Sequence, residues 1–279
     1  MGFVAVSPTV EEAVAAHELD ALFVLTPRSA HAHAVEVALA AGLDVFCEKP
    51  LAPTTAEAAR LADLAEAANR VLMVGFNRRF APTYVAGHEA FGRGGARICV
   101  AQKNRAGSEY RATFENAVHM VDLLRWYCGG EVESVSARAY GDDPWQEEGL
   151  SAHVRFANGN TGVLVAARDA GAWSERLDAH GGGVSVHVEA PDVVAVTRDG
   201  ATSVRSMSPE AFGWATATET FGFAAAVRHF LDRVRDRGEP LTSGREAVRT
   251  QELLDMILTE AGLPTTEQPG RVWRSRARR

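Results

Sequence analysis

The chain has 279 residues, 46% of them hydrophobic, and a net charge of −7 at pH 7 that arises from 29 basic and 36 acidic side chains. An acidic balance argues against nucleic acid as a partner, and no apolar stretch reaches the length of a membrane span. The N-terminus lacks the basic and then apolar order of a signal peptide, so we expect a cytoplasmic protein with one large or two ordinary domains. Three widely spaced cysteines without a C-x-x-C pattern predict reduced, buried thiols and no metal site.

The first eighty residues alternate short apolar runs with segments of helical length. Runs of strand length occupy 21–25, 44–47 and 71–74, and helices are predicted between them at 29–41 and 54–69. A capping box, Thr54-x-x-Glu57, marks the start of the second helix. Fully apolar strands that alternate with helices are typical of a parallel sheet covered on both faces, whose ligands bind at the carboxyl ends of the strands. The polar residues that follow each run are therefore expected to meet at one rim.

Lys49 follows the second of these runs, within Glu48-Lys49-Pro50. It is one of only two lysines among the 29 basic residues, the other being Lys103. A partly buried ammonium can release and regain a proton near neutral pH, which a guanidinium does not. Lys49 is therefore a candidate catalytic acid or base, although composition alone leaves a surface lysine equally open. Lys103, on a later strand, lines either the substrate face or an exposed one.

Beyond residue 80 the pattern changes to consecutive strands with turn residues between them. Strands are predicted at 97–105, 132–140, 150–156, 161–167, 174–179 and 184–189, and helices at 114–128, 221–237 and 243–261. Consecutive strands joined by turns such as Asn158-Gly159 indicate an antiparallel sheet. We therefore predict an α/β plus α+β fold: an incomplete Rossmann-type parallel-sheet domain over 1–80, then an α/β domain with an open, mainly antiparallel sheet over 81–279. The last helix is a candidate to pack back on the first domain.

The helix predicted at 114–128 carries three polar residues on one face. Glu115, His119 and Asp122 are spaced at i, i+4 and i+7 on a segment that is otherwise mostly apolar. Such a ridge is either the water-facing stripe of an amphipathic helix or a histidine that a carboxylate orients toward a substrate hydroxyl. In the second case His119 takes the hydroxyl proton, and replacing it with asparagine is expected to remove the pH dependence of oxidation near neutrality.

Four motifs in this order resemble the glucose-fructose oxidoreductase and inositol dehydrogenase family, also called Gfo/Idh/MocA. They are Thr26-Pro27-x-Ser29-x-His31; Gly42-Leu43-Asp44-Val45 leading into Glu48-Lys49-Pro50-Leu51; Gly75-Phe76-Asn77-Arg78-Arg79-Phe80; and His119-x-x-Asp122. The resemblance covers nearly the whole chain. It implies an oxidoreductase that transfers hydride between a nicotinamide cofactor, NAD or NADP, and a sugar, a cyclitol or a related polyol or keto substrate.

The resemblance also implies roles for particular residues. It places Lys49 and His119 beside the carbon that gives or receives hydride, and it adds Glu115, often aspartate in relatives, and Asp122 to the catalytic group. The candidate substrate-binding residues are Lys49, Lys103 and His119. The candidate cofactor-binding residues, with His31 near the nicotinamide and Glu48 near its ribose, are Thr26, Pro27, His31, Glu48, Lys49, Asn77 and Arg78.

The sequence departs from this family because no G-x-G-x-x-G occurs anywhere in it. In the family that loop and the helix after it hold the pyrophosphate. We therefore expect a start codon placed too late or a natural truncation, with weak dinucleotide binding and an unpaired edge on the strand at 21–25. A second hypothesis is a catalytically inactive binding or assembly subunit. The expected partners are a small-molecule polyol or sugar and further copies of the chain, in a homo-oligomer formed through the antiparallel sheet.

Overall fold

The computed structural model describes residues 5–107, 111–207 and 216–266, apart from the side chain of Arg93. The first third forms a three-stranded parallel sheet with the order β1-β2-β3. Its elements are α1 (Val10–Ala16), β1 (Ala21–Val24), α2 (His31–Ala40), β2 (Asp44–Cys47), α3 (Thr55–Ala67) and β3 (Leu72–Val74).

Burial and capping explain these elements. Every residue of β2, the central strand, is buried, as expected for a strand covered by helices on both faces. Helix α3 begins at the predicted capping box, where Thr54 Oγ1 accepts a hydrogen bond from the Glu57 amide at 3.2 Å and donates one to the Glu57 carboxylate at 2.8 Å. Within the described residues β1 pairs with β2 alone, which leaves its other edge open and Phe23 38% exposed.

The described residues beyond β3 form a second sheet of eight strands, preceded by α4 (Pro82–Glu89). Its strands are β4 (Ile98–Asn104), β5 (Val132–Tyr140), β6 (Gly149–Phe156), β7 (Thr161–Ala167), β8 (Ser174–Gly181), β9 (Val184–Glu189), β10 (Val193–Arg198) and β11 (Ala201–Ser206). The order is β11-β10-β9-β8-β4-β7-β6-β5. All neighbours are antiparallel except β4 and β7, which run parallel because β4 enters the middle of the sheet.

Helices join the two sheets. A π-helical segment (Ala112–Ala117) leads into α5 (Val118–Cys128), which packs on β4 and β7. The remaining α-helices of the described residues are α6 (Ala217–Thr220), α7 (Phe223–Asp236) and α8 (Gly244–Glu260), and short 3-10 helices occur at Arg28–Ala30, Asn77–Phe80 and Gly92–Gly94. Helix α8 contacts α3 and β3 on one side and α5 and β5 on the other. One contiguous apolar core therefore includes residues from both sheets.

The predicted fold class is confirmed, and most predicted elements lie within a residue or two of those observed. The predicted helix at 221–237 is α7, which begins after Gly222, whose φ is +83°. The short helix α6, which precedes this glycine, was not predicted. A Cβ on Gly222 would overlap the backbone of Asn77, Phe80 and Ala81, so only glycine fits this break. The prediction omitted α4, β10 and β11. The domain boundary near residue 80 stays a prediction.

Within the described residues, no helix combines the length and the apolar character that crossing a bilayer requires. The three cysteines are free and buried. Cys47 ends β2, Cys99 lies on β4 and Cys128 ends α5.

Candidate active site

Three elements from different parts of the chain bring the candidate catalytic residues together. Lys49 follows the carboxyl end of β2, His119 lies in the first turn of α5, and Lys103 lies on the face of β4 that α5 covers. Cys99, Ala101 and Lys103 are every second residue of β4, so they lie on the same face, and all three are buried. The site therefore lies between the rim of the parallel sheet and the covered face of the large sheet.

Lys49 has an ammonium group without a carboxylate partner among the described residues. Its Nζ donates a hydrogen bond of 3.3 Å to the backbone carbonyl of Glu115. Burial, followed by the nearby charge of Lys103, lowers the pKa of Lys49 to about 8. A lysine with such a pKa exchanges its proton close to physiological pH, as a catalytic acid or base requires.

His119 is 6% exposed, and its Nδ1 has no hydrogen-bond partner among the described residues. Its ring packs at right angles to that of Phe76, with the centroids 6.2 Å apart. Burial and the charges of Arg78, Lys49 and Lys103 lower the pKa of His119 well below its ordinary value. The imidazole is therefore neutral near pH 7.

This pKa corrects the expectation that His119 titrates near neutrality. Three cationic neighbours oppose a further positive charge on the imidazole, and no carboxylate among the described residues acts to raise its pKa. The group whose pKa lies close to neutral pH is Lys49 instead. Any neutral-range pH dependence of the chemistry is thus expected to arise from Lys49.

Lys103 belongs to a buried cluster centred on Glu175 of β8. The two residues are directly opposite each other across the β4–β8 ladder, and Lys103 Nζ lies 2.9 Å from Glu175 Oε2. Arg78 donates to both oxygens of the same carboxylate at 2.8 and 2.9 Å, and the Tyr84 hydroxyl donates to Oε1 at 3.1 Å. Although burial opposes ionisation, these partners lower the pKa of Glu175 to about 2, so one carboxylate serves two cations.

Glu115 does not turn its carboxylate toward His119. Its Oε1 accepts a 3.2 Å hydrogen bond from Arg28, and its Oε2 accepts one of 2.8 Å from the backbone amide of Arg111. Both arginines also lie over the ring of Phe114, at 4.5 and 5.3 Å from its centroid. Glu115 therefore closes the turn before α5, and it reaches Lys49 through its backbone carbonyl alone.

Asp122 also differs from the expected orienting carboxylate. It accepts two hydrogen bonds from Arg79, at 2.9 Å from Nε and 2.7 Å from Nη2, and a third from Thr250 at 3.0 Å. Arg79 in turn reaches Glu246 of α8 at 3.2 Å. The three residues of the predicted ridge therefore differ in their partners. Glu115 and Asp122 pair with arginines, whereas His119 has a ring nitrogen without a partner among the described residues.

The candidate cofactor residues fall into two groups. The ring nitrogens of His31 lie 2.7 and 2.8 Å from the carbonyls of Pro50 and Thr26, so this buried imidazole ties together the loops after β1 and β2. Asn77 donates to the carbonyl of Phe221 at 2.8 Å. With Arg78 bound to Glu175, the side chains of these three residues are engaged within the protein.

Thr26, Pro27 and Glu48 remain at the rim. Glu48 accepts a hydrogen bond from the backbone amide of Lys49 at 3.1 Å and lies against Gly75, where an added Cβ would come within 3.2 Å of its carboxylate. Gly75 thus keeps space for the Glu48 side chain beside Lys49.

Sequence reasoning missed Glu175, Tyr84 and Phe221. A signal for Glu175 was present, because it is the acidic member of the inward-facing set Glu175, Leu177 and Ala179 on an alternating strand. Lys103 stands out in the same way on β4. Phe221, whose ring lies 4.6 Å from the Arg78 guanidinium carbon, had no comparable signal.

Comparisons with known proteins agree with this architecture. The model of an oxidoreductase family with an NAD-binding Rossmann fold, GFO_IDH_MocA, matches residues 3–76, and its C-terminal domain model matches residues 100–187. The protein YceM of Salmonella typhimurium is 30% identical over 252 residues, which cover 88% of this chain and 80% of YceM. The chain belongs to the Gfo/Idh/MocA oxidoreductase family.

Further relatives within the Gfo/Idh/MocA family include dehydrogenases with named substrates. The inositol 2-dehydrogenase of Rhizobium meliloti is 26% identical over 272 residues, covering 88% of this chain and 80% of that enzyme. The crystallised UDP-N-acetylglucosamine 3-dehydrogenase GnnA of Acidithiobacillus ferrooxidans superposes with a TM-score of 0.81 at 21% identity, over 92% of this chain and 83% of GnnA. The predicted assignment as an NAD(P)-dependent dehydrogenase or reductase of this family is confirmed, and the inactive alternative is not favoured.

Proposed function

We propose that this Gfo/Idh/MocA protein oxidises a secondary hydroxyl of a sugar, a cyclitol or a related polyol, or reduces the matching ketone. The observation that carries the proposal is the juxtaposition of Lys49, with a pKa of about 8, and the unpartnered Nδ1 of buried His119. A buried polar nitrogen without a partner is costly unless a ligand supplies one. A substrate hydroxyl offers both a donor and an acceptor to such a pair.

Lys49 is the proposed proton acceptor for the oxidation. In its neutral form the amine takes the hydroxyl proton as the carbon loses hydride, and in the reverse direction the ammonium returns it. His119, neutral near pH 7, is proposed to hold the same oxygen by a hydrogen bond and so to fix the carbon that reacts. The assignments of Glu115 and Asp122 change accordingly. We propose that both are positioning residues, because they fix the turn before α5 and the helix itself through arginines.

The residues at the rim fit the nicotinamide end of a dinucleotide. Glu48 and Lys49, with Thr26 and Pro27, are the proposed contacts there, and Gly75 leaves space for the Glu48 side chain, which accepts a hydrogen bond from the Lys49 amide. His31, Asn77 and Arg78 are proposed to act beneath the contact surface, since their polar groups bind the loops and Glu175. Nicotinamide, when bound, supplies the hydride acceptor or donor.

We propose that the protein binds NAD or NADP and that this binding is weak. Because the sequence contains no G-x-G-x-x-G loop, we expect a polypeptide of these 279 residues to bind either dinucleotide more weakly than micromolar. We also propose a cytoplasmic homo-oligomer. Support for an oligomer comes from the large sheet, because β6, β7 and β8 alternate between buried residues and residues that are half-buried or exposed on the opposite face.

A paired assay tests the proposed function. Calorimetric titration first measures the dissociation constants of NAD⁺ and NADP⁺, and a panel of hexoses, alditols and inositols is then assayed with saturating dinucleotide. We expect at least one polyol to reduce the cofactor, with a rate that Lys49→Arg nearly eliminates. Demonstrated dinucleotide binding without oxidation of any hydroxyl compound would contradict the proposal.

A further inference from the structure

The two lysines of the chain lie at the same site. Lys49 and Lys103 are 54 positions apart in sequence, one in the loop after β2 and the other on β4, and the charge of each lowers the pKa of His119. Arg78 is the third cation in this group. In a chain with 27 arginines, the coincidence of both lysines around one buried imidazole indicates a built site.

The charges of this site are not balanced. Glu175 is shared between Lys103 and Arg78, so that single carboxylate neutralises one of the two. Lys49 has a carbonyl as its hydrogen-bond acceptor. Glu48 is a second carboxylate nearby, but it accepts from the backbone amide of Lys49 and lies against Gly75. Lys103 and Arg78 therefore exceed Glu175 by one positive charge among the described residues, in either protonation state of Lys49.

Two other buried arginines, in the part of the chain that the structure describes, are neutralised locally. Arg79 is paired with Asp122 at 2.7 Å, and Arg111 is paired with Glu147 at 2.9 Å. Burial lowers the pKa of Lys103, and the charges of Arg78 and Arg105 lower it further, although Glu175 acts in the opposite direction. An uncompensated buried cation is destabilising, so the excess positive charge at this site, which the pairs of Arg79 and Arg111 do not have, points to a ligand that supplies the missing negative charge.

We propose that the substrate carries a carboxylate that binds Lys103 beside His119, while Lys49 accepts the hydroxyl proton. This inference rests on the proposed function and specifies its substrate class as a sugar acid, an aldonate or a uronate. The carboxylate, a monoanion, matches the single excess charge. Lys103 and Glu175 lie on the large sheet, so this charge lies on the substrate side and not at the rim that fits the nicotinamide. Lys103 is then a specificity-determining residue.

Matched pairs of ligands that differ only in the carboxylate test this inference. D-gluconate with D-glucitol and D-glucuronate with D-glucose are titrated calorimetrically into the purified protein, and each is assayed with saturating NAD⁺ or NADP⁺. We expect the acid of at least one pair to bind about tenfold or more tightly than its neutral partner, as a charge-assisted hydrogen bond provides. In Lys103→Gln the ratio of the two dissociation constants should fall toward one.

Two further variants control the result. Lys103→Arg keeps the charge and should retain most of the preference for the acid. Arg176→Gln removes an exposed cation of β8 that is paired with Glu189, and it should leave the ratio unchanged. Glu175 keeps Arg78 and Tyr84 in Lys103→Gln, so this variant is expected to fold.

The outcomes separate the two proposals. Neutral ligands that bind and are oxidised as well as the acids would overturn the carboxylate inference and leave the proposed function standing. An acid preference that survives in Lys103→Gln would also overturn it. If neither member of any pair binds or is oxidised, the carboxylate inference fails. Both proposals fail if the panel of hexoses, alditols and inositols also gives no oxidation while the dinucleotide does bind.

Discussion

Helix α5 separates two buried polar clusters that differ in one respect. Asp122, one turn after His119, has every strong partner it requires: two hydrogen bonds from Arg79 and one from Thr250. His119 faces three cations and keeps an unpartnered Nδ1. The two residues share a helix and are both nearly inaccessible, at 1% and 6% exposure. The two residues therefore differ in their partners and not in their burial: the charge and hydrogen bonds of Asp122 are matched by neighbours, and those of His119 are not.

This contrast separates residues that hold the fold from residues that await a ligand. A satisfied buried ion pair fixes neighbouring elements, here the segment after β3, α5 and α8. An unsatisfied group is costly in the folded protein and persists where function requires it. We therefore expect substitutions around Asp122 to lower stability and substitutions around His119 to lower activity.

Lys49→Arg should have the largest effect on activity. The substitution keeps the positive charge and removes the titratable amine, and general acid–base catalysis contributes about 10² to 10⁴ in rate. We expect kcat to fall by that factor, while the thermal unfolding temperature and dinucleotide affinity stay close to those of the unmodified protein. A kcat within a few fold of the unmodified protein would remove Lys49 from the mechanism.

Asp122→Ala should have the largest effect on stability. It leaves the guanidinium of Arg79 buried with only Glu246 and the Leu241 carbonyl as acceptors. Loss of one partner of a buried pair costs about 3–5 kcal/mol, and we expect a decrease in the free energy of unfolding near the lower end of that range. Denaturant unfolding followed by circular dichroism measures it. If stability is unchanged and kcat falls as in Lys49→Arg, Asp122 acts in catalysis after all.

The cluster around His119 could be predicted only in part from the sequence. Lys49 and His119 were identified from their motifs, and the alternation of strands and helices predicted the rim at which Lys49 lies. The partners of Asp122 and Glu115 were not predictable, because helical spacing shows which residues share a face but not which distant arginines pack there. The insertion of β4 between β7 and β8 decides that Lys103 lies opposite Glu175, and this register depends on long-range pairing.

The pH dependence of catalysis should distinguish Lys49 from His119. The pKa of Lys49 is lowered to about 8, so the neutral amine that accepts a proton increases as pH rises through this value. We expect kcat/KM for oxidation to rise about tenfold per pH unit below 8 and to level off above it, and kcat/KM for reduction to fall above 8. His119→Asn should lower the rate and keep this inflection. Loss of the inflection in that variant would instead assign it to His119.

The lowered pKa of Lys49 also affects the free energy of unfolding. A salt-bridged lysine stabilises the protein less as pH rises, whereas Lys49 is expected to do the reverse. Between about 8 and about 10.4, the unfolded chain retains the Lys49 proton that the folded protein has released. The unfolded state therefore binds more protons in this window, and the contribution of Lys49 to the free energy of unfolding increases with pH. In Lys49→Arg, which does not titrate here, this increase should be absent from a comparison of unfolding curves at pH 7.5 and 9.5, each value being about half a unit or more from the nearer pKa.

Arg245→Ala should have the smallest effect, although Arg245 makes as many hydrogen bonds to carboxylates as Arg79. It donates to Asp63 at 2.7 Å and to Glu66 at 3.0 and 2.7 Å, on the outer surface where α8 crosses α3. Its side chain is 37% exposed and its partners 68% and 61%. Water and salt screen such pairs, so we expect a change of less than about 1 kcal/mol in the free energy of unfolding, and less still at high ionic strength. Urea unfolding at low and high salt measures both quantities. A loss as large as that of Asp122→Ala would show that the number of hydrogen bonds, and not burial, sets the contribution of these arginines.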